Sequence, residues 1–450
     1  MTGTTYVSTT NACKMCTPMG AALAFKGLEG CVPFLHGSQG CATYMRRYVI
    51  SHFREPIDIA CSSLGEKQAV YGGGANLKKG LLNVLDKYRP QLIGVASTCL
   101  TETIGDDVPR YLAEFQREFA DLPLPELVQV STPSYMGTHM DGFHQAVAAV
   151  TAQLCLEKSQ PRQELNIFPG FVSPADVRHL HSMASSYGLQ AALIPDLSQT
   201  LDGQCLEDYE VLASGGTSLQ ALRAMGSARA SVECGRVLAG NRSAGQDLAR
   251  RFGVQLYSVG LPVGLRESDA LHQALREISG RDTSESVAQQ RGRLLDAYVD
   301  GHKYVSGQRA VVYGEADLVV GLTSFLAEIG VQPVLCLTGE RPAGLESILE
   351  GVCSDLVPAP RVRTGADFYD LQQEIACLDP TVLLGHSKGY QLARKLDIPL
   401  IRVGFPQHDR FGGQRIQHVD YAGAQQLFDR LVNVLIEQKQ ARSDVGYTYL

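Results

Sequence analysis

The sequence predicts an α/β protein of three doubly wound units, each a parallel sheet covered by helices on both faces. Three observations lead there. Short apolar runs at 92–96, 127–130, 166–168, 190–194, 231–238, 254–258, 310–313, 332–337, 381–384 and 399–403 read as buried strands. Stretches with apolar residues at helical spacing, such as 218–225, 267–278 and 316–329, lie between them. The 450 residues allow three domains at about 150 residues each, and a 44% hydrophobic content allows a sizeable core.

Taken in chain order, the first chemistry is at Cys13-Lys14-Met15-Cys16, followed by Thr17-Pro18-Met19-Gly20 and a helix-like run. Alone, a C-x-x-C is a redox pair or half of a zinc site. No second C-x-x-C or H-x-x-x-H occurs, and the polar run 6–11 is not the strand a thioredoxin-type site has before it. One of the two cysteines can be a ligand and the other a bystander. Next, Cys41 closes His36-Gly37-Ser38-Gln39-Gly40-Cys41 ahead of a helix expected at 42–51. Gly37 and Gly40 either let the backbone approach something bulky or form a plain tight turn. Gly72-Gly73-Gly74 precedes an amphipathic stretch at 77–88 but lacks the Lys-Ser/Thr of a P-loop, so it reads as a closely packed helix start.

Cys99 ends the buried run 92–99 and is followed by Leu100-Thr101-Glu102-Thr103-Ile104-Gly105-Asp106-Asp107. The carboxyl end of a parallel strand is the usual place for function; a core cysteine with a polar turn is the plain alternative. Ser134 follows the strand at 127–130 in the same way, as an oxygen ligand or as a helix cap. Cys16, Cys41 and Cys99 thus each lie at a strand end or helix start beside glycine or small residues. Iron–sulfur clusters take thiolates in that setting, with backbone N–H groups aimed at the sulfurs.

A polar, proline-containing linker at 158–164 and a break near 305, after a long helical region at 284–303, divide the chain into units 1–160, 161–305 and 306–450. The third opens with a strand, then Gly314-Glu315-Ala316-Asp317 at a helix start, the crevice where doubly wound domains bind ligands. His386-Ser387-Lys388-Gly389 and Gly404-Phe405-Pro406-Gln407-His408-Asp409-Arg410 follow third-unit strands and read as one shared rim, either a solvated loop or a surface toward a partner.

A net charge of −7 argues against nucleic acid or an anionic membrane surface as a partner. No apolar run of about 18 residues is present for a transmembrane helix. Met1-Thr2-Gly3-Thr4-Thr5-Tyr6 has neither the basic start nor the apolar core of a secretion signal, so a cytoplasmic location is expected. Twelve cysteines are then expected to stay reduced, with Cys155, Cys336 and Cys377, in apolar surroundings, as small core residues. No Ser-His-Asp order, G-x-S-x-G elbow or carboxylate pair for acid–base catalysis stands out.

The motifs His36–Cys41, Ser51-His52-Phe53-Arg54-Glu55-Pro56, Thr98–Asp107, Thr132-Pro133-Ser134-Tyr135 and Val403–Arg410 together resemble β-type subunits of nitrogenase component 1 and their relatives, over nearly the whole chain and most closely in 12–145. The resemblance implies three Rossmann/flavodoxin-like domains around a shallow cleft. It implies an α-type (D/E-like) partner in an α2β2 heterotetramer, and a separate ATP-dependent iron protein as electron donor. At the α/β interface it implies an iron–sulfur cluster, the [8Fe-7S] P-cluster in the catalytic enzymes. Cys16, Cys41 and Cys99 match the β-side ligands and Ser134 matches the serine that ligates the oxidised form; Gly40 joins the cofactor-binding set and Cys13 is left as the bystander. The reducing cofactor belongs to the partner, so no catalytic residue is expected here.

Two departures define the alternatives. The chain lacks the long N-terminal extension of the molybdenum enzyme's β subunit, and its 405–415 region is more like the NifN-type subunit of the cofactor-assembly scaffold, which shares a [4Fe-4S] cluster. Nitrogenase-like reductases, including methylthio-alkane reductase, also combine a short β subunit with a P-cluster-type site. The expected functions are therefore an electron-relay subunit of such a reductase, a NifN-type scaffold subunit, or a plain α/β binding protein with core cysteines.

Overall fold

In the computed structural model, residues 13–156, 164–208, 210–240 and 243–445 are described. The expected linker, apart from Glu164, lies outside them, as do the start of the chain and the polar run 6–11.

The described residues form three parallel sheets. The first has order β2-β1-β3-β4, with β1 (Cys31–His36), β2 (Ala60–Cys61), β3 (Leu92–Ser97) and β4 (Glu126–Val130). The second has order β6-β5-β7-β8, with β5 (Glu164–Phe168), β6 (Gln190–Leu193), β7 (Ala230–Cys234) and β8 (Gln255–Val259). The third has order β11-β10-β9-β12-β13, with β9 (Arg309–Gly314), β10 (Gln332–Thr338), β11 (Arg361–Arg363), β12 (Val382–Gly385) and β13 (Leu400–Arg402). Every ladder is parallel. β1, β3, β7 and β12 are buried along their whole length, and in β3 and β12 this shows in the sequence as continuous small and apolar residues rather than an alternation.

Three local readings change. β1 was not among the expected strands: Pro33 interrupts its pattern, and proline argues against a central strand. Pro33 lies just ahead of the two-residue stretch that pairs with β2. The run expected at 231–238 stops as a strand at Cys234, because Gly235 turns the chain with φ +146°. Cys155 and Cys336 are buried as expected, but Cys377 is exposed. It follows the helix Phe368–Ile375, and the buried side chains there are its neighbours Ile375 and Leu378.

Register fixes the functional edge. His36 of β1 lies opposite Ser97 of β3, and Ala96 of β3 opposite Val130 of β4. The loops after all three strands therefore leave the sheet side by side at its carboxyl edge.

The helix Thr17–Lys26 is buried along all ten residues and packs on the helix His139–Leu154. Two glycines permit this approach: a Cβ on Gly20 would stand 1.6 Å from the His139 carbonyl oxygen, and one on Gly142 1.9 Å from that of Thr17. Both obstructions are backbone, so neither helix can yield locally. Gly20→Ala or Gly142→Ala is expected to destabilise the protein by about 3 kcal/mol, the upper end of overpacking costs, measured as a fall in the urea midpoint.

Candidate functional site

The site forms where the three loops of the first sheet meet the start of helix Thr17–Lys26. Cys16 is the residue just before that helix. Cys41 is in the first turn of the helix Gln39–Phe53. Cys99 opens the short helix Cys99–Ile104 directly after β3, and Ser134 lies in the loop after β4. All three cysteines are half-buried and unbridged.

These four residues converge. The Ser134 backbone N–H donates to Cys99 Sγ at 3.2 Å, and the Ser134 side chain hydrogen-bonds the Cys16 thiol. Burial raises the Cys16 thiol above its ordinary range; Ser134 opposes the rise, and the Cys41 and Cys99 sulfurs add to it. Ser38 Oγ donates to Cys41 Sγ at 3.4 Å. Among the described residues, no group of three or more His, Cys, Asp or Glu side chains is set to hold a single metal ion. Beyond its chain neighbours and the backbone of its own helix, Gly40 has no described atom within 4 Å of where its Cβ would stand, so the space beside Cys41 is open. Gly37 is different: its Cβ would meet Thr98 Oγ1 at 2.3 Å, so that glycine serves internal packing.

A buried polar frame holds the loops. His36 Nε2 donates to Asp106 Oδ2 at 2.9 Å, and its Nδ1 accepts from Ser62 Oγ at 2.9 Å. Burial lowers the His36 pKa and Asp106 opposes that, which leaves a neutral ring with one donor and one acceptor. Ser62 Oγ in turn accepts from the Gly37 N–H at 2.9 Å. The Thr98 and Thr101 hydroxyls both donate to the His36 carbonyl at 3.0 Å. Asp106 also accepts from the Gly73 N–H at 3.0 Å, and a Cβ on Gly73 would lie 2.6 Å from Asp106 Oδ2. The triple glycine is therefore a close-packing device beneath the site. Glu102 accepts from Ser97 and, at 2.5 Å, from Ser131 Oγ, while Thr132 N–H donates to Ser97 Oγ at 2.9 Å. The Cys41 loop, the Cys99 helix and the Ser134 loop thus share one network.

His36, Ser62, Ser97, Glu102, Asp106 and Thr132 had no individual role in the sequence reading. His36, Glu102, Asp106 and Thr132 stand inside the quoted motifs and Ser97 inside the run 92–99; nothing in sequence marked Ser62. His36→Ala is expected to cost about 1–3 kcal/mol by leaving the buried Asp106 and Ser62 groups short of a partner, read in urea unfolding.

Cys13 is separate from the trio. It is buried in the third unit's apolar core, with its Sγ 3.5 Å from His386 Nε2. Its carbonyl packs over Gly339, where a Cβ would come within 2.5 Å. The segment Cys13-Lys14-Met15 so occupies the crevice at the ends of β9, β10 and β12. The two rim motifs of the third unit do meet: Ser387 N–H and Oγ both donate to the Pro406 carbonyl, at 3.1 and 3.0 Å, and Ser387 Oγ accepts from His408 N–H at 3.1 Å. His408 Nδ1 also lies 2.6 Å from Ser51 Oγ, joining that rim to the helix that carries Cys41.

Apolar side chains stand exposed beside the thiols. Tyr135 and Met136, next to Ser134, are 62% and 77% exposed, and Tyr44, one turn from Cys41, is 49% exposed. No helix among the described residues is long and apolar enough to cross a membrane.

A family model described as "Nitrogenase component 1 type Oxidoreductase" matches residues 16–436. The chain is 31% identical over 430 residues to the nitrogenase molybdenum-iron protein beta chain of Clostridium pasteurianum, spanning 95% of this chain and 93% of that one. It is 31% identical over 446 residues to the nitrogenase iron-molybdenum cofactor biosynthesis protein NifN of Bradyrhizobium diazoefficiens, spanning 98% and 92%. A solved structure titled nitrogenase Cp1 at pH 6.5 superimposes with a TM-score of 0.95 at 29% identity, over 99% of this chain and 97% of that one.

Proposed function

Because this chain belongs to the nitrogenase component 1 type oxidoreductase family, we propose that it is the β-type, non-catalytic electron-relay subunit of a nitrogenase-like reductase such as methylthio-alkane reductase. The observation that carries this reading is the convergence of Cys16, Cys41 and Cys99 at one sheet edge, with Ser134 touching two of them.

The donor set suits an iron–sulfur cluster. Three soft thiolates at an open, half-buried edge can each take a different iron of a polynuclear group, whereas a single ion needs them in one shell. Cys16, Cys41 and Cys99 would hold the cluster, of P-cluster [8Fe-7S] type, with Ser134 available as an oxygen donor and Gly40 leaving room. When bound, such a cluster supplies one-electron chemistry between an ATP-dependent iron protein and a metallocofactor on the α-type partner. The chain's own residues prepare the site. The Ser134 N–H points at the Cys99 sulfur, the kind of donor that tunes a cluster. His36 and Asp106 fix two ligand loops against each other. Tyr44, Tyr135 and Met136 form the apolar ground on which the α-type subunit of an α2β2 assembly would close and exclude water. The three sheets are proposed to define domains 1–160, 161–305 and 306–450, and the complex to work in the cytoplasm.

A second reading, a NifN-type scaffold subunit holding a [4Fe-4S] cluster, is favoured by the 31% identity to a NifN over 98% of the chain. One experiment divides the two. The chain is purified anaerobically with its α-type partner, iron is counted per αβ pair, and the spectrum is recorded after oxidation. Eight interfacial irons support the reductase; four support the scaffold; none overturns both.

A further inference from the structure

His386-Ser387-Lys388-Gly389 is the motif the proposed function does not use, and the structure brings it to the segment that carries Cys16. Its backbone is held firmly. Ser387 is tied to Pro406 and His408, and a Cβ on Gly389 would come within 2.0 Å of Tyr313 Oη. From this base Lys388 reaches inward, and its Nζ lies 3.4 Å from Met15 Sδ. Met15 is itself fixed: its N–H donates to His139 Nδ1 at 3.3 Å, and its carbonyl accepts from the His139 N–H at 3.0 Å. Met15 is the residue before Cys16. The third unit therefore places a half-buried ammonium against the neighbour of a cluster ligand that belongs to the first.

We propose that Lys388 is a charge-tuning residue of the iron–sulfur site, raising the reduction potential of the group that Cys16 holds. The inference rests on the cluster reading above. A positive charge stabilises the reduced, more negative state, and in a partly desolvated place it is screened far less than at the surface.

The neighbouring charges leave this effect standing. Glu315 meets His139 Nε2 at 3.3 Å, so a whole imidazole separates it from the Met15 backbone. Burial pushes the Glu340 carboxyl up to about 8, so it is largely neutral at pH 7. Burial works against the Lys388 charge, while the Cys13 and Cys16 sulfurs favour it. Lys14 also acts on Cys16, but it is exposed to solvent.

The test uses the chain co-purified with its α-type partner under anaerobic conditions. Iron content and the cluster midpoint potential, from a redox titration followed by electron paramagnetic resonance, are measured for wild type, Lys388→Met, Lys388→Arg and Lys14→Met. Lys388→Met is expected to keep its iron and move to a more negative midpoint. Lys388→Arg should stay near wild type, and Lys14→Met should shift less than Lys388→Met. If Lys388→Met fails to load iron, Lys388→Gln against Lys388→Arg provides the same comparison. An unmoved or more positive midpoint at full iron, or an arginine variant shifted as far as the methionine one, overturns the inference alone. A wild-type complex without iron overturns the cluster reading and this inference together.

Discussion

Cys99→Ala, produced with the α-type partner, is expected to lose its interfacial iron and to fall apart into subunits more readily than wild type. Two causes combine. A thiolate ligand disappears from a three-cysteine set, and the Ser134 N–H that donates to the Cys99 sulfur at 3.2 Å loses its acceptor. Cluster binding stabilises whatever it cross-links, as metal binding stabilises folded domains, so the assembly should melt at a lower temperature as well. Cys41→Ala is expected to behave alike. Two controls bracket the result. Cys61, also half-buried, lies on β2 with its sulfur 3.3 Å from Ser63 Oγ, and Cys61→Ala should retain full iron. Cys13→Ala should keep its iron yet lose about 1 kcal/mol of stability, because Cys13 is packed in the third unit's core. Iron counts and thermal melts on the four variants check this. Full iron in Cys99→Ala would refute the ligand assignment.

Asp420→Ala is expected to destabilise the full chain by roughly 2–5 kcal/mol, the cost of leaving the His179 and His272 donors without their shared acceptor. The Asp420 side chain accepts from His179 Nε2 at 2.7 Å and from His272 Nε2 at 2.9 Å. His179 is on the helix Pro174–Ser186 and His272 on the helix Leu265–Ser279, while Asp420 starts the last helix, Asp420–Ala441. One carboxylate thus locks the last helix onto two helices that follow strands of the second sheet. Burial acts to raise its pKa, but the bonds from His179 and His272 outweigh burial and hold it well below the usual carboxylate range. A folded pKa below the unfolded value of about 3.9 makes the contribution complete above that pH. It drains away as the pH falls from there through the folded pKa. Urea midpoints measured from pH 7 down to pH 3 should therefore show a constant gap between wild type and Asp420→Asn that begins to narrow only below about pH 4. A gap that stays constant across that whole range would show that Asp420 acts through packing instead.

The fold class was legible because nine of the ten runs marked as strands keep close to their marked bounds, and their apolar continuity reflects burial on both faces. β1 escaped because Pro33 breaks the pattern that a central strand normally presents. The strand at 231–238 was overextended because apolar Val237 and Leu238 follow Gly235, whose φ of +146° no run of hydrophobicity reveals. At the site, cysteine identity and motif order singled out the trio, but His36 looked like one more motif letter. Its importance comes from contacts to Ser62 and Asp106, 26 and 70 residues away in sequence.

Residue types and their order determined by themselves that parallel α/β units form and that three sulfurs lie at element ends, since periodicity and turn chemistry are local properties. Only the tertiary structure decided that those sulfurs share one edge, that Cys13 points away into another unit, and that Lys388 reaches the Cys16 segment. Those outcomes depend on strand register and on how units separated by hundreds of residues pack, and such contacts leave no periodic trace along the chain.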